Sequence, residues 1–196
     1  MNQIMNYLYS TPIYTTKVES FKTIQEELES KIKLLNFQYK ESWGNNHQLS
    51  DTTFEQNFLI DYGVDTLVNE IQNHVGRFLK IIKCTKSLDY KIASSWVTKF
   101  NQGDYAHVHS HGHHDISGVY YHKVNQDHGS FFFQCPVPQM SSSYVFGHLA
   151  QSSCTKPEEG MLLLFPGYFS HGVYANPVVD DRISVSFNIS FHKHFS

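Results

Sequence analysis

A chain of 196 residues and 22.7 kDa is the size of one ordinary domain. At that length a protein buries on the order of 70% of its unfolded surface and needs no staples. Its 40% apolar and 17% charged residues exclude a disordered chain, and a net charge of −3 supplies no basic field for a nucleic-acid backbone. Cys84, Cys135 and Cys154 form neither a CxxC pair nor a secreted disulfide framework. Met1–Tyr9 lack the basic and apolar regions of a signal peptide, and no apolar run approaches the roughly 18 residues of a membrane span. The expectation is a cytoplasmic protein with no membrane and no nucleic-acid partner.

Residues 19–37 place Phe21, Ile24, Leu28, Ile32 and Leu35 on one helical stripe, with Glu and Lys opposite. Residues 64–82 repeat the pattern with Leu67, Ile71, Val75, Phe78 and Leu79, and Asp65 is the candidate cap. Both helices read as scaffold. From residue 90 the period changes to two. Strands are expected over Tyr90–Phe100 (with Ile92, Trp96 and Phe100 buried), Ser117–Lys123, Gly129–Cys135, Met161–Phe165 and Arg182–Phe191, punctuated by Gly and Pro. A 15% aromatic share, mostly Phe and Tyr, suits a β-rich core. The expected organisation is one domain over residues 1–196. Residues 1–89 form a helical support, and 90–196 form a β-sandwich or jelly roll. Asn188-Ile189-Ser190 spells a glycosylation sequon, but inside a predicted core strand it is a chance match.

The last strand separates two chemistries. Ile183, Val185, Phe187, Ile189 and Phe191 share one face, which the helices must cover. Arg182, Ser184, Ser186, Asn188 and Ser190 share the other. That face either meets water or lines a barrel mouth, where Arg182 is a candidate carboxylate clamp.

Histidine is the compositional oddity: there are 13, and His107, His109, His111, His113 and His114 fall within eight residues. In extended chain, His107, His109 and His111 point the same way. Neutral imidazole is a ligand for Fe, Zn, Cu and Ni, so two of these with a distant third would form an open metal site. The distant candidate is His171, set between the turn Pro166-Gly167 and Gly172. Neither HExxH, GxSxG nor a phosphate loop is present.

With GDY-x₃-H-x-H, SGVYY, G-x-LLLFP-x₄-H-x-V and RISVSFN in that order, the chain resembles the 2-oxoglutarate/Fe(II)-dependent oxygenases of the short SGVYY type found in marine bacteria and their phages. Thr11-Pro12-Ile13-Tyr14 and Ser42-Trp43 with Leu49-Ser50 resemble the same family more weakly. The resemblance implies a double-stranded β-helix, a jelly-roll, cupin-like fold that is mainly β with flanking helices. It places metal ligands at His109, His111 and His171, and 2-oxoglutarate at Arg182 and Ser184. A strand tyrosine that contacts the co-substrate falls on Tyr121, with Tyr120 as the alternative. The wider superfamily uses His-x-Asp/Glu, whereas here the aligned partner is His111. His113-His114-Asp115 also spells H-x-D, so Asp115 stays open as a ligand, although the spacing of His109 and His111 to Ser117-Gly118 fits better.

The implied activity is oxygenation with Fe(II), 2-oxoglutarate and O₂, yielding succinate and CO₂ and hydroxylating a small-molecule or peptide substrate. The alternative is a cupin-like metal-binding barrel without 2-oxoglutarate chemistry. Pro136–Pro157, rich in Ser, Tyr and Gln, reads as a lid or substrate loop. The oligomeric state is open, and a homodimer would be unremarkable.

Overall fold

The computed structural model describes residues 10–39, 46–50, 57–86, 88–150 and 152–193. Met1–Tyr9 and Ser42-Trp43, which carried two of the expectations above, lie outside them. In chain order the elements are β1 (Tyr14–Lys17), α1 (Phe21–Ile32), β2 (Phe37–Tyr39), β3 (Gln48–Ser50), α2 (Phe58–Asp61) and α3 (Asp65–Ile81). The strands β4 (Leu88–Phe100), β5 (Ala106–His109), β6 (Ile116–Lys123), β7 (Phe131–Phe133) and β8 (Ser153–Thr155) follow, then β9 (Met161–Pro166), β10 (His171–Val173) and β11 (Arg182–Lys193).

Seven strands form a large sheet, in the order β1-β9-β6-β11-β4-β3-β2. Four form a smaller one, in the order β5-β10-β7-β8. The pairings within both are antiparallel. Phe100, Val119, Tyr121, Leu163 and Phe165 from the large sheet pack on Ala106, Phe131, Phe133 and Val173 from the small one. The sheets therefore face each other as a double-stranded β-helix.

The two faces of β11 part as their alternation requires. Val185, Phe187 and Ile189 join Ile24 and Leu28 of α1 and Leu67, Ile71, Val75 and Phe78 of α3 in the core outside the barrel. Burying each such side chain contributes on the order of 1.5–3 kcal/mol. Gly118 lies opposite Phe187 across the β6–β11 ladder, and a Cβ there would stand 2.2 Å from Phe187 Cζ. Only glycine lets this ring lie flat across the neighbouring strand. Arg182, Ser184 and Asn188 are buried on the inner face, so the mouth-lining alternative holds and the solvent-facing one does not. Buried Asn188 is also no glycosylation acceptor, since its Oδ1 accepts a hydrogen bond from Ser117 Oγ at 2.7 Å.

Some boundaries differ from expectation, each for a local reason. Helix α1 ends at Ile32 rather than Lys33–Phe37, and Leu35 is buried from the loop after a tight turn. In α3, Asp65 is the first helical residue and Val64 the N-cap, so the Asp65 charge acts on the helix dipole rather than as a side-chain cap. Lys83, at φ 57, closes the same helix in the left-handed conformation usual just past a helix end. In β4, Ile92 and Phe100 are buried as expected and Trp96 is half-buried, but the three do not share one face. Asn188 pairs with Ser94 and Ile189 with Ile92, so Ala93 is an extra residue. This bulge turns Ile92 to the helices, while Trp96 and Phe100 face the barrel interior.

Candidate metal centre and anion pocket

His109 ends β5 and His171 begins β10, and the two residues are direct partners across the antiparallel pair. Two residues past His109, the His111 amide N–H donates to the Gly167 carbonyl at 2.7 Å. A Cβ on Gly167 would stand 2.2 Å from the His114 carbonyl oxygen, so glycine permits the turn before β10 to close on the histidine loop. One nitrogen from each of His109, His111 and His171 lies within 4.8 Å of the other two.

Backbone carbonyls fix the tautomers of two of the three. His109 Nδ1 sits 2.8 Å from the His107 carbonyl, and His171 Nδ1 sits 2.8 Å from the Phe169 carbonyl. A carbonyl only accepts, so the proton lies on Nδ1 and Nε2 keeps its lone pair for a metal. The His171 ring is further held by stacking on Phe131, with centroids 5.2 Å apart and planes 14° apart. Burial, reinforced by the neighbouring His109, lowers the His171 and His111 pKa values to about 3. Both are therefore neutral at ordinary pH, the form that ligates.

The other two adjacent histidines are placed elsewhere. The His113 and His114 rings lie against each other with centres 4.0 Å apart and planes tilted by 48°, and His114 Nδ1 contacts Ser190 Oγ at 2.9 Å. Asp115 Oδ2 accepts the Phe191 amide N–H at 2.9 Å, on the far side of the loop. His107 is exposed beside the Tyr105 ring. The described donor cluster is thus three imidazoles, without Asp115.

Deeper in the same cavity stands Arg182, 1% exposed, the first residue of β11. Its guanidinium carbon lies 4.6 Å from the Phe100 ring centre and 5.2 Å from that of Tyr121. Nη1 reaches Ser184 Oγ at 3.5 Å, and that oxygen contacts Thr98 Oγ1 at 2.7 Å. Among the described residues Nε and Nη2 have no hydrogen-bond partner, and neither has Tyr121 Oη. Burial pushes the Tyr121 phenol up to about 12, with Arg182 opposing, so it stays a neutral donor. A buried cation left unpaired costs several kcal/mol, so the pocket is built for an anion. Tyr120 faces the opposite way, in the helix-side core, because adjacent strand residues alternate. The geometry leaves Tyr121 beside Arg182 and sets Tyr120 apart from it.

The sequence did not single out several residues that line this cavity. Thr98 and Phe100 come from β4, as does half-buried Trp96, whose ring centre lies 5.8 Å from that of His111. The β4 bulge, which no sequence signal marked, is what aims them inward. His47, just before β3, also lines it. Pro136–Pro157 carries two short 3₁₀ helices, Pro138–Ser142 and Gly147–Ala150, and strand β8. Tyr144, Val145, Phe146 and Leu149 of this segment are exposed. Among the described residues no helix is long and apolar enough to cross a membrane.

Residues 94–188 match the family described as "Putative 2OG-Fe(II) oxygenase". The matched stretch contains all three clustered histidines and Arg182. No curated protein sequence matches the chain. Solved structures share the fold at low identity. An oxidoreductase of the 2OG-Fe(II) oxygenase family from Burkholderia pseudomallei superposes with a TM-score of 0.64 at 10% identity, covering 90% of this chain and 84% of that one. A prolyl-4-hydroxylase from Pseudomonas putida gives 0.61 at 12%, covering 93% and 95%. HygX from Streptomyces hygroscopicus, with nickel, 2-oxoglutarate and hygromycin B bound, gives 0.60 at 11%, covering 94% and 84%. Over residues 94–188, just under half of its length, the chain is similar to the 2-oxoglutarate/Fe(II)-dependent oxygenases, and it shares their double-stranded β-helix fold.

Proposed function

We propose that this chain is a 2-oxoglutarate/Fe(II)-dependent oxygenase that hydroxylates a small-molecule or peptide substrate, with His109, His111 and His171 holding Fe(II) and Arg182, Ser184 and Tyr121 holding the far carboxylate of 2-oxoglutarate. The observation that carries the reading is the buried guanidinium with two unpartnered nitrogens in the same cavity as three bare imidazole lone pairs. The donor chemistry suits both groups. Imidazole suits Fe(II), and a guanidinium fork matches a carboxylate. Three neutral ligands leave the full divalent charge in place, which favours a dianionic co-substrate. When bound, iron and 2-oxoglutarate would supply, with O₂ as oxidant, oxidative decarboxylation to succinate and CO₂, one oxygen atom entering succinate and the other a substrate C–H bond.

The chain's own residues position and exclude. Arg182 fixes one end of the co-substrate, and Phe100 and Tyr121 keep its guanidinium in one plane. Phe131 and Phe165 pack on His171 and keep water from its buried side. Trp96 lines the cavity beside His111 and gives the substrate an apolar wall. Within the class, Ser117-Gly-Val-Tyr-Tyr121 supports the short SGVYY type of marine bacteria and their phages. Free Cys84, Cys135 and Cys154 support a reducing, cytoplasmic setting. The same reading takes residues 1–89 as support for the 90–196 barrel within a single domain, and a homodimer as the assembly. It includes no nucleic-acid partner, in keeping with the net charge of −3.

Anaerobic titration of the apo-protein with Fe(II) and then 2-oxoglutarate tests it, beside Arg182→Ala. A visible charge-transfer band in the native protein, weakened in the variant, is expected. Iron binding with no band at any 2-oxoglutarate concentration would overturn the reading and leave a cupin-like metal-binding barrel.

A further inference from the structure

One cavity residue comes from outside the matched stretch. His47 is 5% exposed and lies against Phe100 face to face, with ring centres 4.5 Å apart and planes 3° apart. Phe100 in turn carries the Arg182 guanidinium on its ring at 4.6 Å, and Tyr121 closes the stack at 5.2 Å. Imidazole, phenyl, guanidinium and phenol thus form one pile, and its outermost layer is His47.

The backbone around His47 is tied down as firmly. The Tyr105 amide N–H donates to the Asn46 carbonyl at 3.0 Å, and His47 Nδ1 donates to the Tyr105 carbonyl at 3.2 Å. Burial lowers the His47 pKa to about 4, so the ring is neutral and the proton on Nδ1 is committed to that carbonyl. Nε2 has no partner among the described residues and offers only a lone pair. The co-substrate is itself all acceptors, so this edge has nothing to give it. The ring face, not the nitrogen edge, is the part of His47 that can serve the pocket.

We infer that His47 is a positioning residue for 2-oxoglutarate: it buttresses Phe100 and so holds the Arg182 fork in the plane that meets the carboxylate. This rests on the proposed role of Arg182. Arg182 has a long, flexible side chain held by one long hydrogen bond from Nη1 to Ser184 Oγ, with Nε and Nη2 unanchored, so what stacks on it helps to set its orientation. Removing the outer layer frees Phe100 to tilt and the guanidinium to follow. A segment outside the matched stretch, at the edge of the large sheet, thereby tunes co-substrate affinity without touching the metal ligands.

The test is anaerobic calorimetric titration of Fe(II)-loaded protein with 2-oxoglutarate, with iron binding and thermal unfolding measured in parallel. Stacked aromatic and cation–π contacts of this kind are worth about three- to tenfold in affinity. His47→Ala is expected to weaken 2-oxoglutarate binding by about that factor while leaving iron affinity unchanged. His47→Phe, which keeps the stacking face and lacks both nitrogens, is expected to restore it to within about twofold of the native value. Should the alanine variant unfold, His47→Leu fills the space without a π face and is expected to bind as weakly. Native-like binding by both His47→Ala and His47→Leu overturns the inference. A phenylalanine variant as weak as the alanine one overturns it too, since the nitrogen edge would then be what matters. If the native protein itself binds iron but no 2-oxoglutarate, the role of Arg182 falls first, and that outcome is distinct from both.

Discussion

His74 and His171 are both buried, and in both the pKa is lowered chiefly by burial. His74, on α3, has work for each nitrogen. Its Nε2 lies 3.4 Å from Glu70 Oε2, which only accepts, so Nδ1 accepts the Tyr14 hydroxyl at 2.8 Å. Glu70 Oε1 in turn accepts the Ser20 amide N–H at 3.1 Å, and the network ties β1, α1 and α3 together. His171 commits one nitrogen to a carbonyl and keeps the other for the cavity, beside two more imidazoles. Burial and neutrality do not distinguish a ligand from a structural histidine. An uncommitted lone pair that converges with others does.

Truncating each residue should separate the two most widely. His171→Ala is expected to abolish stoichiometric Fe(II) binding and turnover while the protein still folds, because its ring packs at the edge of the aromatic cluster. His74→Ala is expected to keep both and to lose about 1–3 kcal/mol of stability, the usual cost of leaving buried hydrogen-bonding groups unsatisfied. Denaturant unfolding and iron titration of the pair check this. Loss of iron binding in His74→Ala would erase the distinction.

Arg182 sharpens the same contrast, since it is buried without the partner that His74 has. Arg182→Met keeps an unbranched chain between Phe100 and Tyr121 and removes the unpaired charge. It is expected to abolish measurable 2-oxoglutarate binding yet raise the unfolding stability of the apo-protein, by about 1–4 kcal/mol, as replacement of buried charges by apolar groups has done elsewhere. Calorimetry without ligand and titration with it check both halves. An apo-protein destabilised by the change would mean that the pocket already satisfies the guanidinium.

Legibility in the sequence follows the range of the interactions. The two faces of β11 and the stripes of α1 and α3 were readable because periodicity is local and each face had a strong chemical bias. His107, His109 and His111 were readable as a set because strand geometry brings i and i+2 to one side, but only the family resemblance singled out His109 and His111, the two that join the cluster, while Arg182 stood out on the polar face of the last strand. The distant partner of that set, His171, was readable from its flanking Pro, Gly and Gly. The inward turn of Trp96 and Phe100 was not, because it depends on Ala93 being squeezed out of the β4–β11 register, which is a property of the pair. Strands β2, β3, β5, β8 and β10, each of three or four residues, were too short for any period. His47 carried no local signal, since only the closing of β3 against β4 brings it over Phe100.

The smallest expected effect concerns the loop between these regions. His113-His114-Asp115 spells the His-x-acid pattern of the wider superfamily, yet Asp115 is occupied on the other side of the sheet. Its Oδ2 accepts the Phe191 amide N–H, its own amide N–H donates to the Ile189 carbonyl, and its carbonyl accepts from Gly167. These three bonds hold the histidine loop on the end of β11 and place His111 by holding the chain that follows it. Asp115→Asn keeps an acceptor oxygen for Phe191 and removes only the charge. Iron affinity is expected to change by less than about twofold, and stability by no more than about 1 kcal/mol, because an exposed amide–carboxylate bond loses only its charge assistance. A large fall in iron affinity would instead mean that the carboxylate swings onto the metal. The ligand set would then be two histidines and an acid, with His111 released, and His111→Ala would be the milder of the two variants.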